Sequence, residues 1–219
     1  LRTARRDDKP EPDGLLAVGQ RLREDFEQLS SSDAYPMKPA RILADVRSVL
    51  GRSDILVSDV GAHKIWIGRD YPCYEPRTCL MGFSVPGAIA AKLVHPERRV
   101  LAVTGDGGFM MNSQELETAV REGVPIVVLI WEDEHYGLIR WKEEEQFGDT
   151  FGVSLSNPDF KAYAEAMRCH GYEVSAADEL VPTLEDAFSH DDAPSVVVVR
   201  VDYSENMALT RRLREEYGA

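Results

Sequence analysis

Two short acidic segments carry the residue types that could do chemistry in this chain. The first, Gly105-Asp106-Gly107-Gly108, follows the apolar run Val100-Leu101-Ala102-Val103-Thr104. Glycines let a ligand come close to the backbone. Met111-Asn112-Ser113-Gln114-Glu115 then opens a helix, with Asn112 or Ser113 available as cap. The free N–H groups of a helix start suit an anion. A carboxylate facing a phosphate is repelled, so Asp106 makes sense if a divalent cation lies between them, as magnesium does when carboxylates and phosphate oxygens share it. The second segment, Trp131-Glu132-Asp133-Glu134-His135-Tyr136-Gly137, ends the next apolar run, and Asp133 follows Asp106 by 27 residues. If the two runs are neighbouring strands, both carboxylates reach one metal. A plainer reading exists for each: Asp-Gly is common in a turn after a strand, and Glu132 and Glu134 read as parts of a solvated acidic loop. One or two acidic ligands offset a cation, whereas four in a row repel one another.

The elements that must position these residues follow from hydrophobic rhythm. Ile55–Asp59, Val100–Thr104, Ile126–Trp131 and Ser195–Val199 are apolar runs of strand length. Helical spacing marks Pro39 to Leu50, stopped by Gly51, and the stretches Pro86 to Val94, Ser113 to Glu122, Asp159 to Cys169 and Thr183 to Ser189. Strands that are apolar on every residue are buried on both faces, and their alternation with helices predicts an α/β fold: a doubly wound, mostly parallel sheet with helices on both faces. Crossovers in such sheets are right-handed, and ligands gather at the carboxyl ends of the strands, where all the polar clusters fall. Residues 1–35 are polar and charged, with one helical pattern at 15, 18, 22 and 26, and read as linker and packing helix. Residues 36–205 form the domain and 206–219 a C-terminal tail, in which Arg211 to Tyr217 read as a solvated terminal helix or a lid.

Composition narrows the partners. At 43% hydrophobic residues the chain has the make-up of an ordinary globular protein, with no apolar run long enough to span a membrane. The net charge of −13 repels nucleic acid and anionic membrane surfaces. Any diphosphate must therefore be drawn in by a metal and local backbone dipoles. Cys73, Cys79 and Cys169 make no C-x-x-C pair and read as free thiols in a reducing cytoplasm, each a small core hydrophobe rather than a nucleophile. The chain begins at Leu1 with no apolar stretch of a signal peptide, and the missing Met suggests a piece of a longer protein.

A Gly-Asp-Gly at one strand end and an Asp at the next resembles the thiamine diphosphate fingerprint. Thr104-Gly105-Asp106-Gly107-Gly108-Phe109, Asn112 to Ala119, Glu122-Gly123-Val124-Pro125, Ser58-Asp59-Val60-Gly61-Ala62-His63 and Asn157-Pro158-Asp159-Phe160 resemble the large (catalytic) subunit of acetolactate synthase. The likeness runs from about residue 36 to 205. It implies that Asp106 and Asp133 hold magnesium by their side chains and His135 by its backbone carbonyl. It implies that Gly105, Gly107, Gly108 and the segment at Tyr136 and Gly137 hold the diphosphate, that Gly61, Ala62 and His63 line its pocket, and that Met81 props the bent cofactor. His63 also reads as a capping or core histidine, and Met81 as simple core packing.

Three departures from the family qualify the resemblance. Glu132-Asp133 stands where an Asn-Asn or Asn-Asp pair is usual, though catabolic acetolactate synthases also carry Asp there. A Ser-Asn-Gly-rich segment that precedes Met-Gly in the family is missing before Met81, through deletion or omission of a mobile loop. Lys142 occupies the place of the Trp found in synthases that accept 2-ketobutyrate, with Trp141 one position earlier, which favours two pyruvates as substrates. The glutamate that drives carbanion formation belongs to a separate pyrimidine-binding domain on another subunit. No catalytic residue is therefore expected in this chain, and the 219 residues alone are expected to be inactive. The resemblance implies a small 2-oxo acid substrate and a homodimer or tetramer, and leaves an FAD requirement open. The rivals are another thiamine diphosphate-dependent 2-oxo acid decarboxylase or carboligase, and a non-catalytic paralogue.

Overall fold

Runs such as Val100–Gly105 and Val127–Glu132 have no polar side to turn to water, and each becomes a strand buried on both faces. The computed structural model describes residues 12–72 and 81–217. Its sheet has five strands, β1 (Ile55–Ser58), β2 (Val100–Gly105), β3 (Val127–Glu132), β4 (His170–Val174) and β5 (Ser195–Arg200), in the spatial order β1-β2-β3-β5-β4. Every neighbouring pair is parallel.

Ten helices surround the sheet among the described residues: α1 (Pro12–Ser30), α2 (Pro39–Val49), α3 (Ala62–Asp70), α4 (Ser84–Val94), α5 (Asp106–Asn112), α6 (Glu115–Arg121), α7 (Gly137–Phe147), α8 (Phe160–Ala166), α9 (Leu180–Ala187) and α10 (Asn206–Tyr217). Alternate residues of each strand enter opposite cores. Leu101, Val103, Leu129 and Val197 meet Leu43 and Val46 of α2, Trp66 of α3 and Leu184 of α9. Ala102, Val128, Ile130 and Val196 meet Ala88 of α4, Phe109 of α5, Leu116 of α6 and Phe160 of α8. The steps β1 to β2, β2 to β3 and β3 to β4 move one way across the sheet and return to it through α4, α6 and α8 on the second face. The step β4 to β5 moves back and crosses through α9 on the first, as right-handed crossovers require. The doubly wound sheet is thus the expected one, and it is parallel throughout.

Several local expectations need correcting. β4 has no apolar run, because it is an edge strand in which only Val174 is buried. The helix beginning near Phe160 ends at Ala166, and Arg168, at φ 64°, turns the chain into that strand. The helix after β2 does not wait for Asn112 or Ser113: it begins at Asp106 itself. The start of the tail helix α10 is packed against the domain, ahead of the Arg211 to Tyr217 stretch. Asn206, Leu209 and Thr210 are buried, with Trp66 Nε1 donating to Asn206 Oδ1 at 2.8 Å and Trp141 Nε1 to Thr210 Oγ1 at 2.8 Å. Cys169 is a free, buried thiol whose pKa burial pushes up to about 11, while Cys73, Cys79 and the segment before Met81 lie outside the described residues. No helix among the described residues is long and apolar enough to cross a membrane.

Candidate functional site

Because all five strands run the same way, the ends of β1, β2 and β3 lie side by side. Each passes directly into a helix, α3, α5 and α7 respectively. None of these three helices has a capping side chain at its N-cap residue, which is Gly61, Gly105 or Tyr136. Their first N–H groups, four of which per helix have no partner within the helix, are left for other acceptors. The three starts border one cavity of about 170 Å³. Its walls include Gly61, Ala62 and His63 from the first strand end and Gly105, Asp106, Gly107 and Gly108 from the second. Asp133, His135, Tyr136 and Gly137 come from the third, and Met81 closes one side. All twelve residues singled out in the sequence therefore meet in one place.

The carboxylates are fixed by backbone. Asp106, 1% exposed, accepts from the Gly107 N–H at 2.8 Å, the Glu134 N–H at 2.7 Å and the Asn157 side-chain amide at 2.9 Å. That amide also donates to Glu132 Oε1 at 3.1 Å, and Arg200 lies 3.4 Å from Glu132 Oε2. Glu132 is thus tied down beside the site rather than solvated, whereas Glu134 points to solvent. Asp133 Oδ2 lies 2.6 Å from where a Cβ on residue 137 would sit, so a larger residue there would displace the carboxylate. Burial, and then the charge of Asp106, push the Asp133 carboxyl up to about 7. A carboxylate pair in this state is suited to a cation, which would offset both charges.

The surrounding loop is strapped down. His135 forms an antiparallel bridge with Ser154, closed by Tyr136 N–H to Val153 O at 2.8 Å and Leu155 N–H to Glu134 O at 2.7 Å. Both bonds use the residues flanking His135, so neither engages its carbonyl. His63 is buried, contacts the Asp59 carbonyl through Nε2 at 3.1 Å, and is held down to about 4 by that burial, hence neutral. It is both the packed histidine of the plainer reading and a wall of the cavity.

Some residues at the site escape sequence reasoning. Asp59, 1% exposed, accepts from the Ser84 N–H at 2.6 Å and Thr104 Oγ1 at 2.7 Å, which clasps β1, β2 and the start of α4. Gly108 leaves room for that clasp, since a Cβ there would lie 2.8 Å from both Asp59 Oδ2 and Thr104 Oγ1. Tyr203 reaches the cavity from the far side of β5, its pKa raised by burial and by the charges of Asp133 and Asp106. Trp131 also lines the cavity, and its buried indole N–H has no partner among the described residues. A second, more open cavity of about 570 Å³ adjoins the first, sharing Asp133, Gly137 and Tyr203. Asp59 was visible in the text as an acidic strand end, but Tyr203 and Trp131 carry no local signal.

A parallel α/β sheet that turns three helix starts into one cleft has the form of a domain that binds a phosphorylated cofactor. The chain belongs to the thiamine pyrophosphate enzyme family, and its residues 59–199 match that family's C-terminal TPP binding domain. It is 36% identical over 212 residues to the catabolic acetolactate synthase of Raoultella terrigena, an alignment covering 93% of this chain and 38% of that one. It is 34% identical over 188 residues to an acetolactate synthase of Bacillus subtilis (strain 168), covering 82% and 33%. Its fold superimposes on a thiamine diphosphate-dependent 4-hydroxybenzoylformate decarboxylase of Rhodococcus jostii RHA1 with a TM-score of 0.72, at 25% identity over 80% of this chain and 34% of that one. The chain thus spans a little over a third of these proteins or less.

Proposed function

We propose that this domain holds the diphosphate and magnesium of thiamine diphosphate in an acetolactate synthase that joins two pyruvates. The observation that carries the reading is the convergence of three uncapped helix starts on a cavity walled by Asp106 and Asp133. The fit is chemical. Asp106 and Asp133 offer hard oxygen ligands, the His135 carbonyl adds a third, and such a set suits magnesium. The N–H groups at Gly61–His63, Gly108 and Gly137 suit the diphosphate oxygens, while those of Gly107 and Tyr136 are held by Asp106 and the Val153 carbonyl. The unpartnered indole N–H of Trp131 is a further donor at the wall, costly to leave unmet in the interior.

Bound here, the cofactor supplies the nucleophilic carbon for decarboxylation and transfer. The chain's own residues bind and orient it. Asp106 stays fixed by three donors, so it does not need to reorganise when a cation arrives. His63, kept neutral, adds no competing positive charge beside the metal. Met81 shields one wall of the cavity. A 2-oxo acid substrate, a pyrimidine-binding domain that completes the site and a homodimeric or tetrameric assembly belong to the same proposal, as does a cytoplasmic setting.

The test is a product assay on the whole protein with pyruvate, magnesium and thiamine diphosphate. Acetolactate as main product supports the reading. Free aldehyde instead points to the 2-oxo acid decarboxylase reading, which the likeness to the Rhodococcus enzyme favours. Absence of magnesium-dependent cofactor binding in calorimetry overturns both.

A further inference from the structure

The second cluster of metal-ligating side chains lies at the opposite edge of the sheet. His170 is the first residue of β4, so it stands at the amino ends of the strands, away from the cavity. Its N–H donates to Pro194 O at 2.9 Å and it is registered against Ser195, which ties it to the loop between α9 and β5. That loop carries His190 and Asp192. His170 Nε2 lies 2.9 Å from Asp192 Oδ1, and His190 Nδ1 lies 3.8 Å from the same oxygen. One ligand atom from each of the three residues falls within 4.8 Å of the others.

The protons in this cluster can be placed. Tyr172, two residues along β4 and so on the same face as His170, donates its O–H to Asp186 Oδ2 at 2.8 Å. Its oxygen therefore accepts, and the group facing it at 2.9 Å is His190 Nε2. His190 thus carries its proton on Nε2, and Nδ1 presents a lone pair towards the Asp192 carboxylate. That nitrogen and the carboxylate oxygen stand 3.8 Å apart, close enough for one ion to take both as ligands. The chain Asp186–Tyr172–His190 has the form of an outer shell that fixes the tautomer and orientation of a metal-bound histidine.

We propose that His170 Nε2, His190 Nδ1 and Asp192 Oδ1 form a surface site for a divalent transition ion of the zinc class. Two imidazoles and one carboxylate suit zinc, copper or nickel, whereas magnesium and calcium prefer oxygen. The rings now stack at 3.7 Å between centroids and 15° between planes. Their lone pairs run side by side, so a shared ion requires one ring to tilt. His190, on the loop and 30% exposed, has the room to do so. Ion binding requires the Nε2 proton that His170 directs at Asp192 to leave that nitrogen, passing to Nδ1 or to water. Asp192 is 67% exposed, which leaves water to complete the coordination.

The test is calorimetric titration of the full chain with zinc chloride in excess magnesium. One zinc ion per chain is expected beyond any at the cofactor cavity. His170→Gln and His190→Gln should each remove it, Tyr172→Phe should weaken it about tenfold, and Asp106→Asn should leave it unchanged. The last arm separates this site from the cofactor reading, on which it does not depend. Thermal melts confirm that each variant folds; if His170→Gln does not, His190→Gln and Asp192→Asn, both on the loop, decide. Zinc binding unaltered by the histidine substitutions, or no zinc binding at all, overturns the proposal.

Discussion

Asp133 and His63 face opposite penalties in the same cavity wall. The folded Asp133 carboxyl titrates at about 7, against about 3.9 when unfolded, so the folded chain keeps a proton that the unfolded chain loses. Its contribution to stability therefore falls as pH rises from about 4 to 7. His63, at about 4 when folded against about 6.5 unfolded, contributes in the other sense, and its share is lost as pH falls from 6.5 towards 4. In metal-free protein the two slopes oppose each other. Asp133→Asn should remove one of them and leave a stability curve that rises from pH 4 to 6.5. Near pH 8 the variant should melt at or above the parent, by about 2–4 °C for each 1 kcal/mol of repulsion relieved, while its magnesium-dependent affinity for thiamine diphosphate drops. Melting below the parent at that pH would refute the charge-pair argument. Gly108→Ala should cost about 1–3 kcal/mol in denaturant melts, because the new methyl presses on the bonded pair Asp59 and Thr104. At this scale the sequence was informative wherever a residue's type and its place at a strand end spoke together, as for Asp106 and Asp133. Tyr203 and Trp131 escaped because nothing beside them in the text distinguishes them from core aromatics.

The helices show why some elements were legible and others were not. α2 and α4 announce themselves by apolar spacing, since each buries one face on the sheet. α3 and α7 do not. Their buried positions are few and their start is dictated by the strand end before them, not by a cap or a stripe. β4 was missed for the converse reason: an edge strand needs little apolar surface. α10 is the element whose role changed most. Its anchors are polar, Asn206 to Trp66 and Thr210 to Trp141, and a hydrophobic pattern cannot reveal them. Asn206→Ala should leave the Trp66 indole N–H buried and unmet, at a cost of about 1–3 kcal/mol. Thr210→Val should do the same for Trp141. Limited proteolysis should show the C-terminal helix released in the double variant; a helix still protected would mean that Leu209 and its apolar neighbours hold it unaided.

For the molecule as a whole, a net charge of −13 surrounds a site proposed for an anion. The attraction must then be local, which predicts that removing magnesium by chelation abolishes thiamine diphosphate binding in calorimetry instead of merely weakening it. On the proposed reading, in which a separate pyrimidine-binding domain completes the site, the 219 residues alone, given pyruvate and both cofactors, should form no detectable acetolactate. The clasp at Asp59 has a consequence on another timescale. It sets the start of α4 at Ser84, only three residues after Met81, by bonds from the Ser84 N–H and the Thr104 hydroxyl to one carboxylate. So long as Asp59 and Thr104 persist over generations, the start of α4 stays pinned to the sheet, and Met81, three residues before it, keeps its place at the cavity wall.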